Sequence, residues 1–447
     1  ATTEIYTLSL HAALPISFQY TIVIARSATG QEELMLMNHY DSTETALQAL
    51  PVSEKRETEI RAVNFNDGAL NAYKQGESIT TQLAPRSLGR FQALGACGSE
   101  LPDTISTDVG GVVADSISSM LQVAVRYHLL SFPSPQSATG YKSLLVSPVD
   151  EPTTGMASIK VVNLNYNQPS YTISLGARQN PTRISTSDSS GYETGIVLAS
   201  DTSKAAQFST VNVFPGTLPV FVFTKTQPAH FITCALGRVE AGGKYLLIFT
   251  NIDGVDRLCL IEENSSEGSI PLMDRAVFAQ FINFMPGPFF TTVSLGSTLG
   301  GIKVNYMVSL ATAVPVGQMS VVVNGNTYSV DAQQDKRLLM ITTGNAATQE
   351  LLSFTMEPPV TDLRNVYRRF LNVSREAPVV DVRDGCLKCN VIEAGLQFGA
   401  FSQWIYDYRD MKNAYYFTSP TEEKIYAKSG SMQLNVGKYY TLVFGGN

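Results

Sequence analysis

The sequence predicts an all-β chain of tandem β-sandwich domains, on three observations. Ser, Thr, Val, Asn and Gly are abundant, whereas long Ala/Leu/Glu/Lys stretches of helical type are absent. Apolar segments are short and end in turn residues. Two strand signatures recur along the 447 residues, a length that suits three or four domains of ordinary size. Charged residues make up only 16% and the net charge is −7, with no Lys/Arg run, so no nucleic-acid partner is expected. No segment offers the about 18 uninterrupted apolar residues of a membrane-spanning helix. This balance fits an exported protein.

The first residues, 1–17, break the pattern. They read ATTEIYTLSLHAALPIS. A secretory signal would need a basic start and a clean apolar run. The stretch has Glu4 and no Lys or Arg, and Ser9, His11 and Pro15 interrupt it. Thr2, Thr3, Ile5 and Thr7 are poor helix formers. The string resembles a translated sequencing adapter, ATTEIYTLSLHDALPI, at every position but Ala12. On that reading 1–17 is an artefact of an assembled environmental sample. The native chain is then entered within a domain, and its true N-terminus, with any signal or lipid anchor, lies upstream. Residues 18–45 read as the terminal hairpin of a preceding or incomplete sandwich, with the turn SATG at 27–30 recurring at 137–140. Such a hairpin could also complete another subunit.

The first recurring signature is an apolar strand ending in Asn: EIRAVNF at Asn64, SIKVVNL at Asn163, FAQFINF at Asn283 and YRRFLNV at Asn372. A short turn and a second strand follow each. An Asn amide can bond turn backbone, so these four are read as structural. The second signature is a Lys/Arg-led apolar strand, a turn and another strand. It occurs at 126–147, 244–263 and 336–357, and GKYYTLVFGGN carries its first half. The two signatures bound four repeats, at 58–152, 155–266, 272–359 and 361–447.

These motifs, best in RFLNVSREAPVVDVRDG…VGKYYTLVFGG, resemble the bacterial family "domain of unknown function 4397". The resemblance covers most of the chain after residue 17. It implies immunoglobulin-like β-sandwich domains in tandem on exported or cell-surface bacterial proteins, and it brings no catalytic residues.

Chemistry-bearing residues are sparse. His39, His128 and His230 fall in different segments without ligand-spaced neighbours, so neither a metal nor a triad is expected. No cofactor motif is present, and no enzyme is expected. Cys386 and Cys389 form C-x-x-C in a β context, read as a hairpin-bracing disulfide or as two thiols. Cys234 and Cys259 could pair if their side chains face each other, leaving Cys97 over. Asp253 and Asp256 read as a tight turn rather than a calcium loop. Trp404, Tyr406, Tyr408, Tyr415 and Tyr416 read as core and rim, or as a sugar-stacking platform.

Two functions fit best. One is a structural component of a surface filament that associates with itself or with other surface proteins. The other is an adhesin or glycan-binding protein, with loops at 97–118 and 177–195 as its tools. For the first, the final strand Tyr439, Tyr440, Thr441, Leu442, Val443, Phe444 is expected to lie at a sheet edge. Three repeats add one more strand after its counterpart, at 143–147, 257–263 and 350–356. A neighbouring subunit's strand at 33–38 could cover that edge.

Overall fold

Alternation along short strands, and a switch of sheet after each conserved-pattern Asn, build the molecule. The computed structural model describes residues 20–26, 32–38, 48–49, 58–94, 102–122, 125–135, 137–165, 170–176, 178–180, 196–201, 209–224, 231–285, 290–296, 299–334, 336–357, 364–421 and 424–445. Among them there is no helix. The adapter-like segment 1–17, Cys97, His39, His230 and most of 177–195 lie outside the described residues.

Four sandwiches follow one another among the described residues. In the first, Thr58–Asn64, Ser87–Leu94, Arg126–Pro133 and Tyr141–Val146 form one sheet. Leu70–Lys74, Glu77–Leu83, Asp103–Val109 and Val112–Ser119 form its partner. The second sets Ala157–Asn163, Ser209–Val213, Lys244–Ile252 and Val255–Glu262 against Ser170–Leu175, Ile196–Asp201, Gly216–Thr224 and Phe231–Val239. The third sets Asp274–Asn283, Ser309–Pro315, Arg337–Thr343 and Glu350–Met356 against Phe290–Leu295, Leu299–Asn305, Gly317–Val323 and Asn326–Ala332. The fourth sets Val366–Asn372, Ile405–Asp407 and Tyr439–Phe444 against Val379–Asp384, Val391–Gln397, Tyr415–Thr418 and Ile425–Lys428.

In each first sheet the Asn-ended strand runs parallel to the Lys/Arg-led strand, at the sheet centre in the first three sandwiches and with the Lys/Arg-led strand at the edge in the fourth. A parallel pair is most stable when buried on both faces. That is its state here: all of Val366–Asn372 is buried, as are six of seven residues of Arg337–Thr343. One face of each pair lines its own core. Ile159, Val161, Leu247 and Phe249 do so in the second sandwich. The opposite face packs on a neighbouring sandwich, the first on the second and the third on the fourth.

Each Asn side chain sits at the sheet switch and ties the two sheets together. In all four, Oδ1 accepts the N–H two residues on, from Asn66, Asn165, Met285 and Ser374. The Nδ2 groups reach carbonyls of the facing sheet or its turns. Asn64 donates to Gly68, Leu83 and Ala84, Asn283 to Val304, and Asn372 to Ala377 and Leu396. The Nδ2 of Asn163 has no partner among the described residues.

Two expectations need correction. The stretch 97–118 is not a binding loop: Asp103–Val109 and Val112–Ser119 form a hairpin of the first sandwich. Cys234 and Cys259 do not pair; both are buried free thiols. They point to opposite sides of the second sandwich, Cys259 into the cluster shared with the first and Cys234 into the cluster shared with the third. Glu32–Asn38 is flanked by Tyr20–Arg26 along seven register pairs and by Gln48–Ala49 along two. The disulfide joins Cys386 to Cys389 in the turn between Val379–Asp384 and Val391–Gln397.

Removing a buried amide that bridges two sheets leaves carbonyl and N–H groups unsatisfied. Asn283→Ala should therefore lower unfolding free energy by about 1–3 kcal/mol. Denaturant titration should show this as a shifted midpoint at unchanged slope.

Candidate assembly edge

The Lys/Arg-led strand has a further antiparallel neighbour in three sandwiches. Tyr141–Val146 follows Arg126–Pro133, Val255–Glu262 follows Lys244–Ile252, and Glu350–Met356 follows Arg337–Thr343. In the fourth, Tyr439–Phe444 pairs with Val366–Asn372 and has no strand on its other side among the described residues.

The hydrogen-bond pattern defines what this edge offers. Tyr367 N–H donates to Lys438 C=O and Val373 N–H donates to Phe444 C=O. In a parallel ladder this directs the even-numbered peptide groups of the strand inward, toward Val366–Asn372. The N–H and C=O groups of Tyr439, Thr441 and Val443 point outward. Side chains alternate the other way, across the sheet. Tyr440, Leu442 and Phe444 fill the fourth core, and Phe444 stacks on Phe417 at 4.7 Å. Tyr439, Thr441 and Val443 face the third sandwich. Val443 joins the cluster that contains Ile282, Leu339 and Ile341. Arg369 Nε donates to Thr441 Oγ1 at 3.2 Å, and Arg337 donates to the Tyr439 hydroxyl. The edge strand is thus held from both faces while one flank stays open.

That rigidity comes from seams that the sequence reading missed. The residue three before each Asn is polar and buried: Arg61, Lys160, Gln280 and Arg369. Alternation places it on the outer face of its sheet, so it enters the seam between sandwiches. Arg61 reaches the second sandwich and donates to the carbonyls of Ser265, Glu262 and Glu263. Lys160 donates to Ser147 C=O at 3.2 Å on the segment linking the two. Arg369 lies over the rings of Phe401 at 3.9 Å and Trp404 at 4.4 Å. Burial lowers both guanidinium pKa values to about 10. Apolar packing completes the seams, with Phe65, Phe132 and Leu164 between the first two sandwiches. Between the second and third, Ala235↔Arg275 and Leu236↔Asp274 pair Phe231–Val239 with Asp274–Asn283. A signal was available: a polar residue at a fixed offset before the Asn in all four strands.

The aromatic platform is divided. Tyr415 is fully buried in the fourth core, and Trp404 is half-buried against Arg369. Tyr406 and Tyr408 remain exposed, their rings edge to face at 5.8 Å.

No family model and no curated protein sequence matches the chain. Among solved structures, a candidate cell adhesion protein from Bacteroides ovatus aligns over 49% of this chain and 99% of its own. Identity is 9% and the TM-score 0.15. The major pilin protein T-13 from Streptococcus pyogenes aligns over 56% of this chain and 93% of its own, at 10% identity and a TM-score of 0.11. Likeness at these scores carries no argument about shared activity.

Two measurements test the seams. Burial, then the charges of Arg61 and Lys160, push the His128 imidazole down to about 3. In the unfolded chain it titrates near 6.5. As pH falls below about 6.5 the unfolded state takes up a proton that the folded state refuses, so stability is lost progressively down to pH about 3. His128→Leu should remove up to about 3 kcal/mol of the loss between pH 7 and 4, read from unfolding titrations at each pH. Burial also raises the Cys234 thiol pKa and pushes that of Cys259 up to about 12. Alkylation followed by peptide mapping should label both only after unfolding.

Proposed function

We propose that this chain is a non-enzymatic structural subunit of a bacterial surface filament, built of tandem sandwiches and joined to its neighbours by strand addition at Tyr439–Phe444. The open flank of that strand carries the reading. The same position is filled by Tyr141–Val146, Val255–Glu262 and Glu350–Met356 in the other three sandwiches. A sheet edge with outward N–H and C=O groups is a template for another strand. The occupant is Glu32–Asn38 of a second copy, whose flank is met by Gln48–Ala49 along only two pairs. Joining one end of a copy to the other end of the next is heterologous and does not close, which gives fibres. The seams support the role, because tension along a filament would be borne by sheets packed face to face. Membership of the 4397 domain family, and an exported or surface location, belong to the same proposal. Glycan binding through Tyr406 and Tyr408 is the second reading, favoured only by their exposure.

Thr441→Pro removes one outward N–H and leaves the ladder to Val366–Asn372 intact. It should abolish concentration-dependent assembly in light scattering and negative-stain images. Thr441→Val, which loses only the hydroxyl that accepts from Arg369, should still assemble. Monomers of constant mass for the parent chain at all concentrations would reject the reading. So would an edge covered by a continuation of the same chain.

A further inference from the structure

The first sandwich departs from the second and third at one place in its core. Lys74 ends the strand Leu70–Lys74 and Asp103 begins the strand Asp103–Val109. Both point between the sheets, on the same faces as the fully buried Ala72 and Ile105. Lys74 Nζ lies 3.3 Å from Asp103 Oδ1, and both side chains are 5% exposed.

Strand register identifies the counterparts of this pair. Lys74 stands opposite Ile105, as Leu175 stands opposite Val220 and Leu295 opposite Val321. Two residues before those partners come Asp103, Leu218 and Met319. The second and third sandwiches therefore fill the position with Leu175–Leu218 and Leu295–Met319, both within their hydrophobic cores. The fold does not need charge here. A buried ion pair is generally no more stabilising than an apolar pair of similar volume, because two ions must leave water. The substitution of two charges for two aliphatic side chains needs another reason.

We propose that Lys74 and Asp103 form an intramolecular amide cross-link. A proton passes from Lys74 Nζ to the Asp103 carboxylate along the existing contact, leaving an amine and an acid. An apolar enclosure favours such a neutral pair over separated ions. The amine lone pair attacks the carboxyl carbon and forms the N–C bond. The C–OH bond breaks, the hydroxyl takes one of the two protons on nitrogen while the other stays as the amide N–H, and one water leaves. No oxidant, reductant or activated donor is needed. Proximity supplies the drive, since the two groups are held together by strands that are hydrogen-bonded along Leu70–Val109 to Lys74–Ile105. The product staples neighbouring strands of the first sandwich where a load entering from its N-terminal side would be felt. It is independent of the assembly reading and stands or falls separately.

Intact mass of the reduced, denatured full-length chain is the test, with proteolytic mapping. The parent should weigh one water less than its sequence, and digestion should give one branched species joining the peptides of Lys74 and Asp103. Lys74→Arg keeps the ion pair but cannot make this amide, and should have the full mass. The paired change Lys74→Leu with Asp103→Leu copies the second sandwich, so it should fold and also have the full mass. A parent of full mass whose two peptides separate overturns the proposal. A water loss that persists in Lys74→Arg overturns it equally.

Discussion

The structure depends on burying a parallel strand pair on both faces. In each sandwich the Asn-ended strand and the Lys/Arg-led strand lie side by side in one sheet. One face is covered by the partner sheet. The other must be covered too, because residues such as Val162, Leu246 and Ile248 project from it. A single sandwich cannot satisfy that demand, so each outer face becomes a seam. Tandem repetition here is a consequence of strand chemistry rather than a string of independent beads.

The seams are not uniformly apolar. Buried polar side chains three residues before the Asn enter them, Arg61 and Lys160 both at the first seam and Arg369 between the third and fourth sandwiches, and their partners differ. Arg61 is met by carbonyls and Arg369 by aromatic rings, whereas Lys160 holds the linking segment. A charge that leaves water must find partners, and only the intended neighbour provides them. The side chains therefore select which faces meet. His128 lies among them as a neutral ring, edge-on to Phe91 at 5.5 Å, with neither nitrogen bonded among the described residues. This makes the first seam sensitive to acid in a way that aliphatic packing is not.

Among the described residues, Tyr439–Phe444 has a strand on one flank only. Its two faces are occupied, one by the fourth core and one by the third sandwich. Only the hydrogen-bonding direction is left. A strand so fixed loses little conformational freedom on pairing, which is why a rigid edge makes a better template than a loose one. The exposed pair Tyr406 and Tyr408 lies on a different strand of that sheet, beyond Val366–Asn372.

The sequence by itself determined the all-β class, the repeated strand signatures and the turn role of the four Asn residues. These are local properties: alternation, turn chemistry and an amide that reaches backbone two residues away. Tertiary structure decided what lies across a face. Continuous apolar runs such as YLLIF do not say whether the second face meets a helix, a sheet or another domain, so the seams were invisible. Cys234 and Cys259 lie on strands of one sandwich, yet sheet geometry turns them to opposite sides. Tyr415 and Tyr408 are close in sequence, yet one is core and the other is in water. Lys74 and Asp103 lie far apart in sequence, and only register aligns them with Leu175 and Leu218. Pairing register is a long-range property, fixed only when the strands meet, and it is there that the chain's least expected chemistry is written.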